Sequence, residues 1–280
     1  MSSRKGAFMK KIGVFLILAT TIILGFYFYS TRILRFSISA NETFVNHYQI
    51  PNVFNGARIV QFGDLLIENE HDLRLLEDAV AAVNRLNPTI IVFTGNLFEE
   101  NAITNHLQSQ AITLLSKMEA DVGKIAIMGD KDLLQAEAVA EILTAASFTV
   151  LRDESLELFN GSPQGIVFIG IEPFADRAHI ESILSNHSRE DRFNILLIHN
   201  PLLTTTAIPY PIDIQLSGYC RGINVNLHLF DYPTCSQFYS GVYRFADHLL
   251  LNVNLGLNRP NHPLALLNRP TIDSFLLFRE

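Results

Sequence analysis

The stretch "ARIVQFGDLL", residues 57 to 66, joins an apolar run to a glycine and an aspartate, Gly63 and Asp64. Apolar runs of this length that end at turn residues are typical of strands buried on both faces. The stretches "NPTIIVFTGNLFEE" at 87 to 100 and "KIAIMGDKDLL" at 124 to 134 repeat the pattern, and a helical pattern separates each from the next. This alternation predicts βαβ units and a mostly parallel sheet.

Apolar residues at helical spacing predict helices near 71–86, 105–118, 136–147 and 178–185. From about residue 148 onward strand signals dominate, which predicts antiparallel additions to the sheet. Ligands of open α/β sheets bind beyond the carboxyl ends of the strands. The residues at those ends are therefore the candidates for a functional site.

The run "IGVFLILATTIILGFYFYS", residues 12 to 30, is uncharged, follows four basic residues and carries four aromatic residues near its end. At 1.5 Å rise per residue it spans about 30 Å, the thickness of a bilayer core. This favours an uncleaved anchor over a cleaved signal peptide, whose apolar region is shorter, roughly 7–15 residues. Because the basic residues precede it, the positive-inside rule keeps the short tail in the cytoplasm.

These features divide the chain into four parts. We predict a basic cytoplasmic tail at 1–11, a transmembrane anchor at 12–30, a linker with a first exposed strand at 31–54, and one α/β domain at 55–280. The protein is then a single-pass protein of the cell membrane whose C-terminal domain lies outside the cytoplasm.

Charge and cysteine content narrow the possible partners. The net charge is −7 and the pI is near 5.7. Without a basic stripe, these values exclude a nucleic-acid binder. The two cysteines, Cys220 and Cys235, either form a disulfide in the exported domain or remain two unpaired, mostly buried thiols.

Five predicted strand ends carry small or polar residues. In chain order they are Gly63-Asp64, Gly95-Asn96, Gly129-Asp130-Lys131-Asp132, His199-Asn200-Pro201 and Gly218-Tyr219-Cys220-Arg221-Gly222. Their order and spacing resemble the calcineurin-like metallophosphoesterases, specifically a membrane-anchored or exported bacterial branch that acts on lipid-linked phosphates. The resemblance covers roughly residues 49 to 280. It implies an α/β fold, a metallophosphoesterase-like α/β/β/α four-layer sandwich of mixed sheets.

Enzymes of this family hold two divalent metals about 3.5–4 Å apart, and this sequence departs from their ligand pattern. Asp64 and His199 match family ligands, and Asp130 stands in place of a ligating asparagine. The remaining positions differ in chemistry. Leu66 replaces a histidine, Asn96 the bridging aspartate, Lys131 the leaving-group histidine, and Tyr219 and Arg221 the two histidines of the last motif.

Charge decides how these replacements are interpreted together. The metal site loses a bridging carboxylate and three ligating imidazoles, those at 66, 219 and 221, and it gains two cationic side chains that repel metal ions. We therefore predict that Lys131 and Arg221 pair with Asp64 and Asp130 as internal counter-ions. Simpler roles remain open: Asp64 could cap its loop, Lys131 could point to solvent, and His199 could be a hydrogen-bonded core residue.

Three functions follow from these alternatives. The first is a pseudoenzyme that needs no metal and binds either an anionic lipid head group, at Lys131 and Arg221, or an envelope protein. The second is a phosphoesterase with a single zinc, manganese or iron ion held by residual ligands, namely Asp64, Asp130, His199 and Cys220. The third is a structural domain whose cleft is filled by side chains such as Leu66 and Tyr219.

Overall fold

The computed structural model describes residues 2–32, 37–220, 237–246, 248–258 and 269–280. Six helices lie in these ranges: α1 Ser2–Arg32, α2 Glu70–Arg85, α3 Asn105–Leu115, α4 Ala136–Ala145, α5 Arg177–His187 and α6 Thr204–Ala207. The strands of the first half are β1 Ser39–Asn46, β2 Arg58–Phe62, β3 Ile90–Phe93, β4 Gly123–Ala126, β5 Thr149–Val150 and β6 Glu154–Leu158. Those of the second half are β7 Ile166–Ile171, β8 Phe193–Ile198, β9 Ile214–Ser217, β10 Gly241–Phe245, β11 Leu249–Val253 and β12 Thr271–Phe278.

The strands form two six-stranded mixed sheets, with the orders β1-β12-β2-β3-β4-β5 and β10-β11-β9-β8-β7-β6. In the first sheet β2 to β5 are parallel, and β12 runs antiparallel to β2. The second sheet corrects the sequence prediction, because its inner strands β7, β8, β9 and β11 are also parallel. The predicted antiparallel pairing is found only at its two edges, β6 and β10, among the described residues.

The two sheets pack face to face across an apolar layer that includes Ile59 of β2 and Ile195 of β8. Helices α2, α3 and α4 cover the outer face of the first sheet, for example through Leu76. Helices α5 and α6 cover the outer face of the second, for example through Ile180. The predicted four-layer α/β/β/α sandwich is thus confirmed.

Helix α1 contains the predicted anchor. Its segment Ile12–Tyr29 has a mean hydropathy of 2.2, and it is long and apolar enough to cross a membrane. Which end lies in the cytoplasm stays a prediction.

Strand β1 fixes where the chain joins the domain. Ser39 pairs with Thr271 and Asn46 with Phe278, so β1 and β12 run side by side. Because β12 is antiparallel to β2, the first residue of β1 lies at the edge where β2 to β5 end. We call this edge, with the carboxyl ends of β7, β8, β9 and β11, the carboxyl-end face.

A buried carboxyl group lies at the opposite edge, just before β9. Asp213 is 9% exposed, its Oδ2 accepts a hydrogen bond from the backbone N–H of Asn194 at 2.7 Å, and its Oδ1 lies 3.4 Å from Nε2 of His47. Burial raises the pKa of Asp213 to about 7, and the Asn194 N–H acts in the other direction. The folded state therefore binds this proton more tightly than the unfolded state, so stability falls as pH rises from about 4 to about 7.

Asp213→Asn is expected to stabilise the protein at pH 8, because the amide oxygen can keep the Asn194 contact without a buried charge. The gain in unfolding free energy should grow from near zero at about pH 4 to about 3 kcal/mol at pH 8. Urea unfolding of the detergent-solubilised chain at both pH values measures it. The exposed Asp121→Asn serves as control, and a gain that does not change with pH would contradict the assignment.

Candidate functional site

The site is built by loops that leave the carboxyl ends of β2, β3, β4, β8 and β9. Four non-glycine residues that lie within five positions of these strand ends have left-handed backbone conformations: Asp64 (φ 51°), Leu66 (φ 47°), Asn96 (φ 62°) and Tyr219 (φ 73°). Such conformations cost energy for residues with a Cβ, and they gather where surrounding structure enforces them, often at functional sites. The loops therefore place their side chains by tertiary contacts rather than by local preference.

Asn96 lies at the centre of the site and is fully buried. Its Nδ2 is 2.8 Å from Oδ1 of Asp64, 2.9 Å from Oδ1 of Asp130 and 2.9 Å from Nε2 of His199. Its Oδ1 accepts a hydrogen bond from the backbone N–H of Lys131 at 2.9 Å. The structure thus brings together four of the residues predicted from the strand ends, with an amide nitrogen where the two carboxylates and the imidazole converge.

His199 is fully buried, as the simpler sequence interpretation proposed. Its Nδ1 donates to the carbonyl oxygen of Thr94 at 2.6 Å, and its Nε2 lies 3.1 Å from Oδ1 of Asp130. Burial lowers the pKa of His199, but the Asp130 hydrogen bond and the nearby Asp64 carboxylate outweigh it and leave the pKa raised. The raised pKa shifts the protonation equilibrium of the ring toward the imidazolium form, in which Nε2 can donate to Asp130; in the neutral ring Nε2 can accept from Asn96.

Asp132 was not assigned a role from the sequence, yet it holds two of the site loops together. Its Oδ2 accepts from the backbone N–H groups of Asn96 (2.7 Å) and Gly129 (2.8 Å), and its Oδ1 accepts from Leu97 (2.9 Å). Burial raises the pKa of Asp132 to about 6, and these three N–H groups oppose the rise. The available signal was its place in the run Gly129-Asp130-Lys131-Asp132 at a strand end.

Close packing explains the glycines beside these residues. A Cβ on Gly129 would lie 2.1 Å from Oδ1 of Asn96 and 2.5 Å from its backbone nitrogen. A Cβ on Gly218 would lie 3.0 Å from Oδ2 of Asp64 and 3.2 Å from the His199 ring. Only glycine at position 129 lets the β4 loop approach Asn96 this closely.

Lys131 corrects one sequence prediction. Its ammonium group is 2.7 Å from Oε1 of Glu100 and 3.5 Å from Oε1 of Glu99. These ion pairs join Lys131 to acids of the loop after β3, whereas the sequence predicted Asp64 and Asp130 as its partners. The reason is direction: the Lys131 backbone contacts Asn96, and its side chain extends to the loop after β3.

Of the three remaining residues predicted for the site, the structure describes Leu66 and Tyr219 but not Arg221. Leu66 is fully buried, and its backbone N–H donates to the carbonyl oxygen of Asn96. The Tyr219 ring meets the His199 ring edge-on, with centroids 5.7 Å apart. Arg221 lies outside the described residues, so its predicted pairing and its predicted role in anion binding stay predictions.

Cys220 is 4% exposed and disulfide-bonded, whereas Cys235 lies outside the described ranges. This agrees with the disulfide alternative. It also removes Cys220 from the candidate ligands, because a disulfide sulfur is not a thiolate.

The part of the site that the structure describes offers a metal ion fewer ligands than a binuclear centre needs. Asp64, Asp130 and His199 have ligand chemistry, but the Asn96 amide nitrogen, a hydrogen-bond donor, lies between them. Within the described ranges, no group of three or more His, Cys, Asp or Glu side chains is arranged to hold a metal ion. The described residues of the site therefore do not fit a pair of divalent cations.

Fold and site together define an α/β sandwich with the strand-end motifs of a phosphoesterase. No protein-family model matches the chain. The uncharacterized metallophosphoesterase YkuE of Bacillus subtilis is 32% identical over 263 residues, which cover 90% of each chain. The chain therefore belongs to the calcineurin-like metallophosphoesterase family, as predicted.

Other relatives are more distant. A Danio rerio transmembrane protein with a metallophosphoesterase domain is 25% identical over 82% of this chain, which spans 55% of that protein. Among solved structures, the protein TT1561 of Thermus thermophilus (11% identity, TM-score 0.49) is matched over 72% of this chain and 91% of its own. A dimetal phosphatase from Danio rerio (10% identity, TM-score 0.44) is matched over 72% and 88%.

Proposed function

We propose that this protein is a membrane-anchored member of the metallophosphoesterase family in which a hydrogen-bonded cluster replaces the binuclear metal centre. It then acts by binding or regulating a partner in the cell envelope and not by hydrolysis. The observation that carries the proposal is the position of Nδ2 of Asn96, within 2.9 Å of Asp64, Asp130 and His199.

The chemistry of an amide supports this. Nδ2 carries two hydrogens that satisfy neighbouring carboxylate oxygens, a role that cations fill in a binuclear centre. The raised pKa of His199 means that this site stabilises positive charge on the ring next to Asp130. A cation would have to displace the amide and compete with this internal charge balance.

The contacts of Lys131 bear on what the protein binds. An anionic lipid head group at Lys131 would first have to displace Glu99 and Glu100 from its ammonium group. For this reason we propose an envelope protein, and not an anionic head group at Lys131, as the partner.

A phosphoesterase with a single metal is the second candidate, and one observation favours it. Two carboxylates and an imidazole already converge on one point, so rotation of the Asn96 side chain would leave three ligands of the kind that zinc accepts. Such a site would hold one ion, of zinc, manganese or iron.

Metal content and hydrolysis test the two candidates together. The detergent-solubilised full chain is incubated with manganese, iron and zinc, freed of unbound metal, and analysed for metal and for hydrolysis of a phosphodiester. We expect only trace metal and no turnover, with a binuclear phosphodiesterase loaded in parallel as positive control. Stoichiometric metal that is lost in His199→Ala would overturn the proposal and favour the single-metal enzyme.

A further inference from the structure

We infer that the carboxyl-end face of the domain, which carries the site, rests against the lipid bilayer. This rests on the anchorage of α1 in a membrane, which is part of the proposed function. The partner is the bilayer surface itself, contacted by exposed apolar side chains of the loops around the site.

The first argument is where the chain joins the domain. The segment long enough to cross a membrane ends at Tyr29, and β1 begins at Ser39, on the carboxyl-end face. Helix α1 continues to Arg32, and the seven residue steps from there to Ser39 reach at most about 25 Å when fully extended. The eight residues of β1 then lead away from this face over about 27 Å. A tether joined here draws this face, and not the opposite edge, toward the membrane.

The second argument is the apolar surface of that face. Leu134 is 70% exposed, Phe174 72% and Leu202 40%, and they follow the carboxyl ends of β4, β7 and β8. Burial of large apolar side chains in the membrane interface is favourable, and aromatic residues are enriched there.

Two ion pairs of Arg152 join the segments next to Leu134 and Phe174. Arg152 contacts Glu137 at 2.7 Å, three residues after Leu134, and Glu172 at 2.5 Å, two residues before Phe174. These contacts connect the start of α4, next to Leu134, with the segment just before Phe174.

Apolar exposure alone does not select this face. At the opposite edge Val53 is 38% and Phe159 is 51% exposed, and the Asn160 side chain donates to the Val53 carbonyl oxygen, so the two segments lie together. The position of Ser39 decides between the edges, and the two exposed phenylalanines provide a matched pair for a test.

The chain contains no tryptophan, so one introduced tryptophan is a unique fluorescent probe. Phe174→Trp and Leu134→Trp place it on the carboxyl-end face, and Phe159→Trp makes the same exchange at the opposite edge. The full chain carrying each variant is reconstituted into phosphatidylcholine vesicles with or without bromine on the acyl chains. We expect the probes at 174 and 134 to lose most of their emission to bromine and the probe at 159 to keep it.

Each other outcome decides against the inference. Retention of emission at both 174 and 134, or equal loss at 159, would overturn it. An alkaline wash of the vesicles separates this from failure of the anchor: a chain released by the wash would refute the anchorage and, with it, the inference. A chain that is retained but not quenched would refute only the orientation.

Discussion

Asn96→Asp is expected to make folding of the domain depend on divalent cations. The substitution replaces the central amide, whose Nδ2 donates to Asp64 and Asp130, with a third carboxylate at the same point. Without metal, like charges then converge in a fully buried position, where an uncompensated charge is strongly unfavourable. A divalent cation would compensate them and restore the carboxylate that the family uses as a bridge.

The effect should be large in both directions. In the presence of a chelator we expect the variant to lose about 3–5 kcal/mol of unfolding free energy, less whatever it recovers by sharing a proton among the carboxylates. Manganese or zinc should return part of this loss in proportion to its concentration, because a ligand that binds only the folded state stabilises it. Urea unfolding with chelator and with each metal measures both effects. The unfolding free energy of the wild-type protein should change neither with the chelator nor with the metals.

Asn101→Asp is the matched control for this experiment. Asn101 also has a left-handed backbone (φ 58°, against 62° for Asn96), but it is exposed. The same exchange there should change stability by less than about 0.5 kcal/mol and without metal dependence. If Asn96→Asp is as stable as the wild type in chelator, the amide is not the group that balances Asp64 and Asp130.

The sequence predicted the first sheet well and the second sheet less well, for a physical reason. Helices α2, α3 and α4 cross over between β2, β3, β4 and β5, and their 3.6-residue periodicity is visible in the sequence. Parallel strands need long crossovers, but the connection from β8 to β9 contains only the 3-10 turn Pro201–Leu203 and the four-residue helix α6. Such a crossover has no helical pattern, so the strands on either side were predicted to be antiparallel.

The site shows the same limit at the scale of side chains. Asp64, Asn96, Asp130 and His199 could be placed together because the carboxyl ends of parallel strands meet at one edge. The partners of Lys131 could not be predicted, because its backbone contacts Asn96 while its flexible side chain extends to acids of another loop. Charge counting predicts cationic side chains in place of metal ligands, but it does not predict the direction in which these side chains point.

The role of Asp132 could not be predicted from the sequence either, because its side chain contacts backbone groups. Its carboxylate accepts N–H groups from loops that are adjacent only in the folded chain, and no residue type at positions 96, 97 or 129 indicates this. The central position of this side chain makes it the second site at which we expect a large effect.

Asp132→Ala is expected to destabilise the protein by about 4 kcal/mol, because it removes the acceptor of three backbone N–H groups, those of Asn96, Leu97 and Gly129. Burial raises the pKa of Asp132 to about 6, so the unfolding free energy of the wild-type protein falls as pH rises from about 4 to about 6. Urea unfolding is therefore compared at pH 8, where the carboxylate is ionised in both states. Asp132→Asn should fall between the wild type and Asp132→Ala, since one amide oxygen can still accept.

A matched control separates this network from a general effect of losing an aspartate. Asp78 is exposed on α2, so Asp78→Ala should stay within about 0.5 kcal/mol of the wild type.

The Asp132 and Asn96 variants together also test how the site is positioned. If Asp132 holds the Asn96 loop against the Gly129 loop, then adding Asp132→Ala to Asn96→Asp should weaken the return of stability by manganese, because the three carboxylates are no longer held at one point. Additive losses with an unchanged response to manganese would mean that the two loops are held together by their other contacts, and that Asp132 contributes only its own hydrogen bonds.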